Sequence, residues 1–223
     1  MVGVGNTAEV FDYGEGKVCK LFYRGYPKDA VKREFWNASE VQRQGLPVPK
    51  VFEMVESKGR TGIVYEKIAG KSMLECILEN PEKAVFYLEE FVRLQKNWLK
   101  EASVQSASVL SYKEYLRMLL NGAGQKAEAS LLEEINALPE GVTLLHGDFH
   151  PGNVLISTEY RAVVIDFMNV CRGPELYDIA RTYFLLKEKD EAFGSAYLAK
   201  MEVSEEEILP FSKVIERCRM YER

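Results

Sequence analysis

The sequence predicts an α+β chain of two lobes, a small sheet-rich lobe over residues 1–68 and a larger, mainly helical lobe over residues 69–223. Three observations carry this. The first third alternates short apolar runs with turn clusters rich in Gly and Asp. After Ala69-Gly70 the texture changes to long stretches of helical apolar spacing. A short β-rich segment then returns over residues 142–167, with helix after it.

Taken in order, residues 3–11 read as a strand–loop–strand piece and Asp12-Tyr13-Gly14-Glu15-Gly16 as a turn. Residues 17–23 (KVCKLFY) form a strand. Residues 27–44 have helical spacing, and Gly45 lies just beyond as a stop. Residues 51–56, the turn Ser57-Lys58-Gly59 and residues 61–68 form a hairpin, with a hinge near 67–70. Residues 72–137 are mostly helical, and residues 142–145, 154–156 and 162–167 are strands. Residues 174–187 form a helix, and more helix runs to Arg223. Phe86, Tyr87, Phe91 and Trp98 have helical spacing and are expected in the core. Glu205-Glu206-Glu207 is expected at a solvated helix start.

Composition excludes several classes. Of 223 residues, 47% are hydrophobic and 28% charged, so collagen-like, disordered and low-complexity chains are out. The net charge of −5 and the lack of a long basic run argue against nucleic acid as a partner. No apolar run has the length of a membrane span, and Met1-Val2-Gly3-Val4-Gly5 lacks the features of a signal peptide. Cys19, Cys76, Cys171 and Cys218 show no C-x-x-C spacing. They read as reduced, buried thiols of a cytoplasmic protein.

The sharpest feature is Leu145-His146-Gly147-Asp148-Phe149-His150-Pro151-Gly152-Asn153, which holds both histidines of the chain. Asp166 follows inside Val163-Val164-Ile165-Asp166-Phe167. Between Asn153 and Asp166 lies a hairpin pattern, so its two open ends should lie close together. Phosphoryl transfer uses such a set: one carboxylate to orient an acceptor hydroxyl and take its proton, and an amide oxygen plus a second carboxylate to hold Mg²⁺. Any one of these residues alone is more simply a turn residue. A transition-metal hydrolase site built on His146, Asp148, His150 and Asp166 is the other enzymatic reading. Gly147, Pro151 and Gly152 weigh against it by making this stretch a loop, and no third histidine or cysteine pair completes a zinc-type set.

At the other end, Gly3-Val4-Gly5-Asn6-Thr7-Ala8 matches a dinucleotide fingerprint, but no strand precedes it and a hairpin follows. A flexible turn over phosphates, or a plain β-turn, suits that context. Lys20 lies mid-strand on one face with Val18 and Phe22, where a lysine must reach water or an anion. On the helix of residues 27–44, Ala30, Val31, Ala38 and Val41 flank Glu34 on the wheel. Glu40 falls on the other side, near Asn37 and Arg33. Glu34 is thus expected in the apolar stripe, paired with Lys20, and Glu40 in solvent.

The stretch His146-Gly-Asp148-x-x-x-x-Asn153 followed by Ile165-Asp166-Phe167 resembles the aminoglycoside phosphotransferase/choline kinase group. It is similar, more distantly, to the His-Arg-Asp and Asp-Phe-Gly motifs of protein kinases. The resemblance continues through residues 172–181 and includes Gly45-Leu46-Pro47-Val48-Pro49 and the glycine loop. It implies a bilobal protein-kinase-like fold and an Mg²⁺-dependent small-molecule kinase using ATP or GTP. Within that resemblance Asp148 would be the catalytic base, and Asn153 and Asp166 the metal ligands. Gly3, Gly5, Asn6, Thr7 and Ala8 would cover the phosphates, Lys20 would touch them, and Glu34 would pair with Lys20. Glu66 to Ile68 would hold the base through backbone groups, and His146 would brace the catalytic loop. Met168 stands where protein kinases carry glycine, a change common outside protein kinases that does little harm; the C-terminal region that shapes an acceptor pocket is short, which keeps a non-catalytic kinase-like binding protein as the second reading.

Overall fold

The computed structural model describes residues 1–102, 109–122 and 128–221. In chain order it contains β1 (Gly3–Val4), β2 (Ala8–Gly14), β3 (Lys17–Phe22), α1 (Lys28–Arg43), β4 (Val51–Ser57), β5 (Arg60–Glu66), β6 (Gly70–Ser72), α2 (Met73–Glu79) and α3 (Ala84–Glu101). There follow α4 (Tyr112–Gly122), α5 (Ala129–Ala137), β7 (Thr143–Leu145), β8 (Val154–Ser157), β9 (Ala162–Val164), β10 (Cys171–Gly173), α6 (Glu175–Lys187), α7 (Glu191–Met201) and α8 (Glu205–Cys218). Parts of the helical run expected over 72–137, at 103–108 and 123–127, and the expected helix end at 222–223, lie outside the described residues. The chain forms two compact units, Met1–Leu78 with Gly152–Met168, and Glu79–Pro151 with Asn169–Arg223.

The first unit is built on an antiparallel five-stranded sheet in the order β1-β2-β3-β5-β4. Strand alternation turns Val18 and Lys20 of β3 to the same face as their partners Tyr65 and Ile63 on β5, and Val31, Ala38 and Val41 of α1 are buried as α1 packs on β4 and β5. A second sheet, β6-β8-β9, closes the unit. Here Gly70 is required: a Cβ would stand 2.1 Å from the Ile156 carbonyl oxygen, so only glycine lets β6 reach β8. The Val164 amide also donates to the Pro47 carbonyl at 2.8 Å. Residues 69–78 and Gly152–Met168, expected beyond residue 68 in the helical part, group with the first unit.

In the second unit α3 buries Leu88, Phe91, Gln95, Trp98 and Leu99, a helical stripe. Phe91 meets Phe149 at 4.9 Å between ring centroids, and the Trp98 indole N–H donates to the Leu144 carbonyl at 2.8 Å. Phe86 departs from expectation: it is 57% exposed, because the first turn of α3 runs beyond the core, and it packs edge-on against Tyr87 instead. α6 is buried over most of its length and packs against α7 and α8. α8 starts on a capping box between Ser204 and Glu207, which explains the Glu205-Glu206-Glu207 run as a helix start. Among the cysteines, Cys19, Cys171 and Cys218 are buried, while Cys76 is only half-buried.

Candidate active site

In the first unit the structure brings Lys20, Glu34 and Asp166 together. Lys20 Nζ lies 2.8 and 3.0 Å from the two Glu34 carboxylate oxygens and 3.0 Å from Asp166 Oδ1. β3 supplies the lysine, α1 the glutamate, and the residue two beyond β9 the aspartate. Glu34 is fully buried, as its place in the apolar stripe predicts, and the Tyr65 hydroxyl donates to its Oε1 at 3.1 Å. Burial pushes the Glu34 carboxyl up, while the Lys20 ammonium and the Tyr65 hydroxyl pull it back. Burial also works against the Lys20 charge, but Glu34 and Asp166 outweigh it and hold its pKa above the ordinary lysine value. One cation between two carboxylates leaves the cluster with an excess negative charge.

Asp166 sits at φ +68°, a left-handed conformation that few residues other than glycine adopt. Such local strain is stored where a side chain must be aimed. The Asp166 side chain stays 40% exposed. The hairpin expected from the sequence is present: Val154 pairs with Val164, and the Ile165 amide donates to the Asn153 carbonyl at 2.9 Å. Asn153 and Asp166 therefore flank the open end of one ladder. Their donors are an amide oxygen and a carboxylate, hard oxygens of the kind Mg²⁺ takes. Among the described residues no group of three or more His, Cys, Asp or Glu side chains could hold a metal ion, so the hydrolase set does not assemble.

The glycine loop is the β1–β2 connection. The Gly5 amide donates to the Ala8 carbonyl at 2.9 Å, and Tyr23 clamps the loop from β3's end by donating from its hydroxyl to the Gly5 carbonyl and from its amide to the Thr7 carbonyl. A Cβ at Gly5 would meet nothing nearer than the Ala8 oxygen at 3.6 Å. The chain itself does not demand glycine there. Asn6 and Thr7 form the turn, and the buried Ala8 opens β2. At the other end of the sheet, the Glu66 amide donates to Lys50 and the Lys67 amide to Gly16, both at 2.8 Å. The Glu66 carboxylate accepts the Lys50 amide at 3.1 Å, so that side chain serves the sheet; Ile68 follows beyond β5.

In the second unit the His146–Asp148 loop leaves β7. His146 is fully buried, its ring edge-on to Trp98 and Phe149, and its Nδ1 accepts the Asp148 amide at 3.3 Å. Gly147 takes φ +76°, and a Cβ there would stand 2.3 Å from the Asn169 oxygen. Its amide donates to Asp178 Oδ1 at 2.7 Å and its carbonyl accepts from Arg181 Nε at 3.3 Å. Asp178 and Arg181, one helical turn apart on α6, thus grip the two ends of one residue. Asp148 comes next, with His150 Nε2 at 3.7 Å from its Oδ2. Burial pushes the Asp148 carboxyl up, but His150, Arg181 and His146 outweigh it, and it stays below the ordinary aspartate value.

Two expectations from the helical wheel fail. Glu40 is not in solvent: it is only 7% exposed, and it accepts from Arg43 and from Gln44 at 3.2 Å. Asn37, placed beside it, is also buried and donates to the Phe167 carbonyl at 2.9 Å. α1 is covered on a second side that the apolar stripe does not reveal. Tyr65 was not among the candidates. Its parity on β5 with Ile63, opposite Val18 and Lys20, is the signal that points to it.

The fold is kinase-like, with an antiparallel five-stranded sheet in one unit and mainly helices in the other. The chain belongs to the phosphotransferase enzyme family, whose model matches residues 3–210. Among solved structures it is similar to an aminoglycoside-3'-phosphotransferase of type VIII, at 16% identity and TM-score 0.67 over 96% of this chain and 94% of that one. It is similar to the ADP-bound aminoglycoside phosphotransferase APH(2'')-Ib, at 20% identity and TM-score 0.59 over 100% of this chain and 86% of that one. It is also similar to APH(3'')-Id from Streptomyces rimosus, solved with ADP and streptomycin, at 13% identity and TM-score 0.58 over 90% and 87%. Among curated proteins none matches.

Proposed function

We propose that this chain transfers the γ-phosphoryl group of ATP or GTP to a hydroxyl of a small molecule, with Mg²⁺ on the nucleotide. The observation that carries the reading is the cation of Lys20 fixed between Glu34 and Asp166. An ammonium so held has its position set before a polyphosphate arrives, which is what phosphoryl transfer asks of a protein. Glu34 and Tyr65 orient the lysine, and Lys20 binds phosphate oxygens. The β1–β2 turn, with a Gly5 that no contact among the described residues requires, would leave room for phosphates to approach Gly3, Gly5, Asn6, Thr7 and Ala8.

Asn153 and Asp166 would hold Mg²⁺, which neutralises phosphate charge when bound. Asp148 would orient the acceptor hydroxyl and take its proton; its lowered pKa keeps it ionised for that at neutral pH. With the Glu66 and Lys67 amides bonded to Lys50 and Gly16, base readout would fall to the Glu66 carbonyl and the backbone of Ile68. The need for a nucleotide co-substrate supports a cytoplasmic setting. The acceptors to assay are metabolite alcohols, choline-like alcohols and aminoglycosides.

Thermal melting with ATP and with GTP, each with and without Mg²⁺, followed by product analysis, tests this reading. It expects a nucleotide shift that Mg²⁺ enlarges and a phosphorylated acceptor. A shift without product assigns nucleotide binding without chemistry. The absence of both removes the kinase reading.

A further inference from the structure

We propose that Gln95 and Tyr197 are positioning residues for the Asp148 loop, acting through Asp178. The consequence for turnover rests on the phosphotransferase reading; the consequence for the loop does not.

Asp178 on α6 is a fully buried carboxylate with two separate tasks. Its Oδ1 accepts the Gly147 amide at 2.7 Å, and its Oδ2 accepts from Gln95 Nε2 at 3.0 Å. Gln95 Nε2 also donates to Thr182 Oγ1 at 3.0 Å, and Gln95 Oε1 accepts the Tyr197 hydroxyl at 2.7 Å. All four side chains, drawn from α3, α6 and α7, are inaccessible to solvent.

A glutamine amide has a donor end and an acceptor end, and only the donor end attracts a carboxylate. By donating to Oε1, Tyr197 commits the acceptor end, so the donor end faces Asp178. Tyr197 thereby orders a contact two bonds away from Gly147. Stability alone does not call for such a network, since apolar packing of the same volume does as well. What a fully satisfied buried network supplies is a single arrangement. That arrangement matters at Gly147, whose positive φ and close approach to Asn169 allow one backbone geometry, and the next residue is Asp148.

The test compares Tyr197→Phe with Tyr112→Phe, which deletes a tyrosine hydroxyl bonded elsewhere in the same unit, to the Pro139 carbonyl at 2.6 Å. The readouts are hydrogen exchange at the Gly147 amide and steady-state MgATP turnover to water. Loss of one buried hydrogen bond in the chain should speed Gly147 exchange by about tenfold in Tyr197→Phe. It should lower kcat by about tenfold with KM for MgATP within about twofold, and Tyr112→Phe should do neither. Equal Gly147 exchange in the two variants overturns the proposal, whatever their melting temperatures. If Tyr197→Phe does not fold, Gln95→Met, which removes both amide ends at similar volume, takes its place with the same expectations. If the wild type hydrolyses no MgATP, the exchange result alone decides the positioning, and the phosphotransferase reading is judged by transfer to hydroxyl acceptors.

Discussion

Glu34 contacts the Lys20 ammonium through both carboxylate oxygens, at 2.8 and 3.0 Å, from inside the face that α1 buries on the sheet. Glu34→Gln should therefore lower kcat/KM for nucleotide by roughly 10–100-fold through a misplaced lysine. The stability cost should stay below the ~3–5 kcal/mol of a broken buried pair, because Asp166 remains as a partner for Lys20. Glu40→Gln, at a buried site that accepts from Arg43 and Gln44, should cost about 0.5–1.5 kcal/mol and leave turnover unchanged. Kinetics and denaturant unfolding on both variants check this. Equal losses of turnover would show that the Lys20–Glu34 pair does not serve the nucleotide.

Asp166→Asn should abolish the Mg²⁺-dependent part of the nucleotide melting shift while keeping the metal-free part. A neutral amide cannot balance metal and phosphate charge as a carboxylate does. The substitution also removes one of two anions beside Lys20. An unchanged Mg²⁺ increment would take Asp166 out of the metal role.

Asp148 gives a pH prediction with a definite sign. Burial raises its carboxyl, but the His150 hydrogen bond, with His150, Arg181 and His146 nearby, outweighs that and leaves it below the ordinary aspartate value. A carboxyl with a depressed folded pKa stabilises the fold above its unfolded value, and that contribution is lost as pH falls through the folded one. Phosphotransfer should accordingly hold level on the acid side down to about pH 5. A kcat/KM profile with an acid limb near about pH 6–7, in a protein still folded there, would mean that some other group is the base.

Gly147→Ala should destabilise the chain by about 2–4 kcal/mol, combining the left-handed φ with a clash against backbone. The clash is with the Asn169 oxygen, 2.3 Å from the added Cβ, and backbone cannot move aside as a long side chain does. Chemical unfolding measures it, and a cost within surface-mutation range would show the loop to be freer than its bonds imply.

Much of this was legible because it is local. Strand alternation set Lys20 on one face with Val18 and Phe22, the helical wheel set Glu34 in the apolar stripe, and the hairpin pattern brought Asn153 near Asp166. What escaped depends on distant partners. β6 and β10 are three residues each, too short for periodicity, and exist through their pairing with β8 and β7. The burial of Asn37 follows from a bond to Phe167, 130 residues away, which no wheel contains. Phe86 keeps helical spacing but lies past the end of what α3 packs on. Gln95 and Tyr197 look like ordinary helix residues until the fold sets them around Asp178.

The most direct measurement is transfer of labelled γ-phosphate from MgATP and MgGTP to a panel of hydroxyl metabolites, choline-like alcohols and aminoglycosides, run with wild type and with Asp148→Asn. The account predicts a phosphorylated hydroxyl product with the wild type, and a rate lower by about 10²–10⁴ in the variant with nucleotide binding close to unchanged. Wild-type transfer in Asp148→Asn, or no transfer to any hydroxyl by a wild type that binds nucleotide, would contradict it.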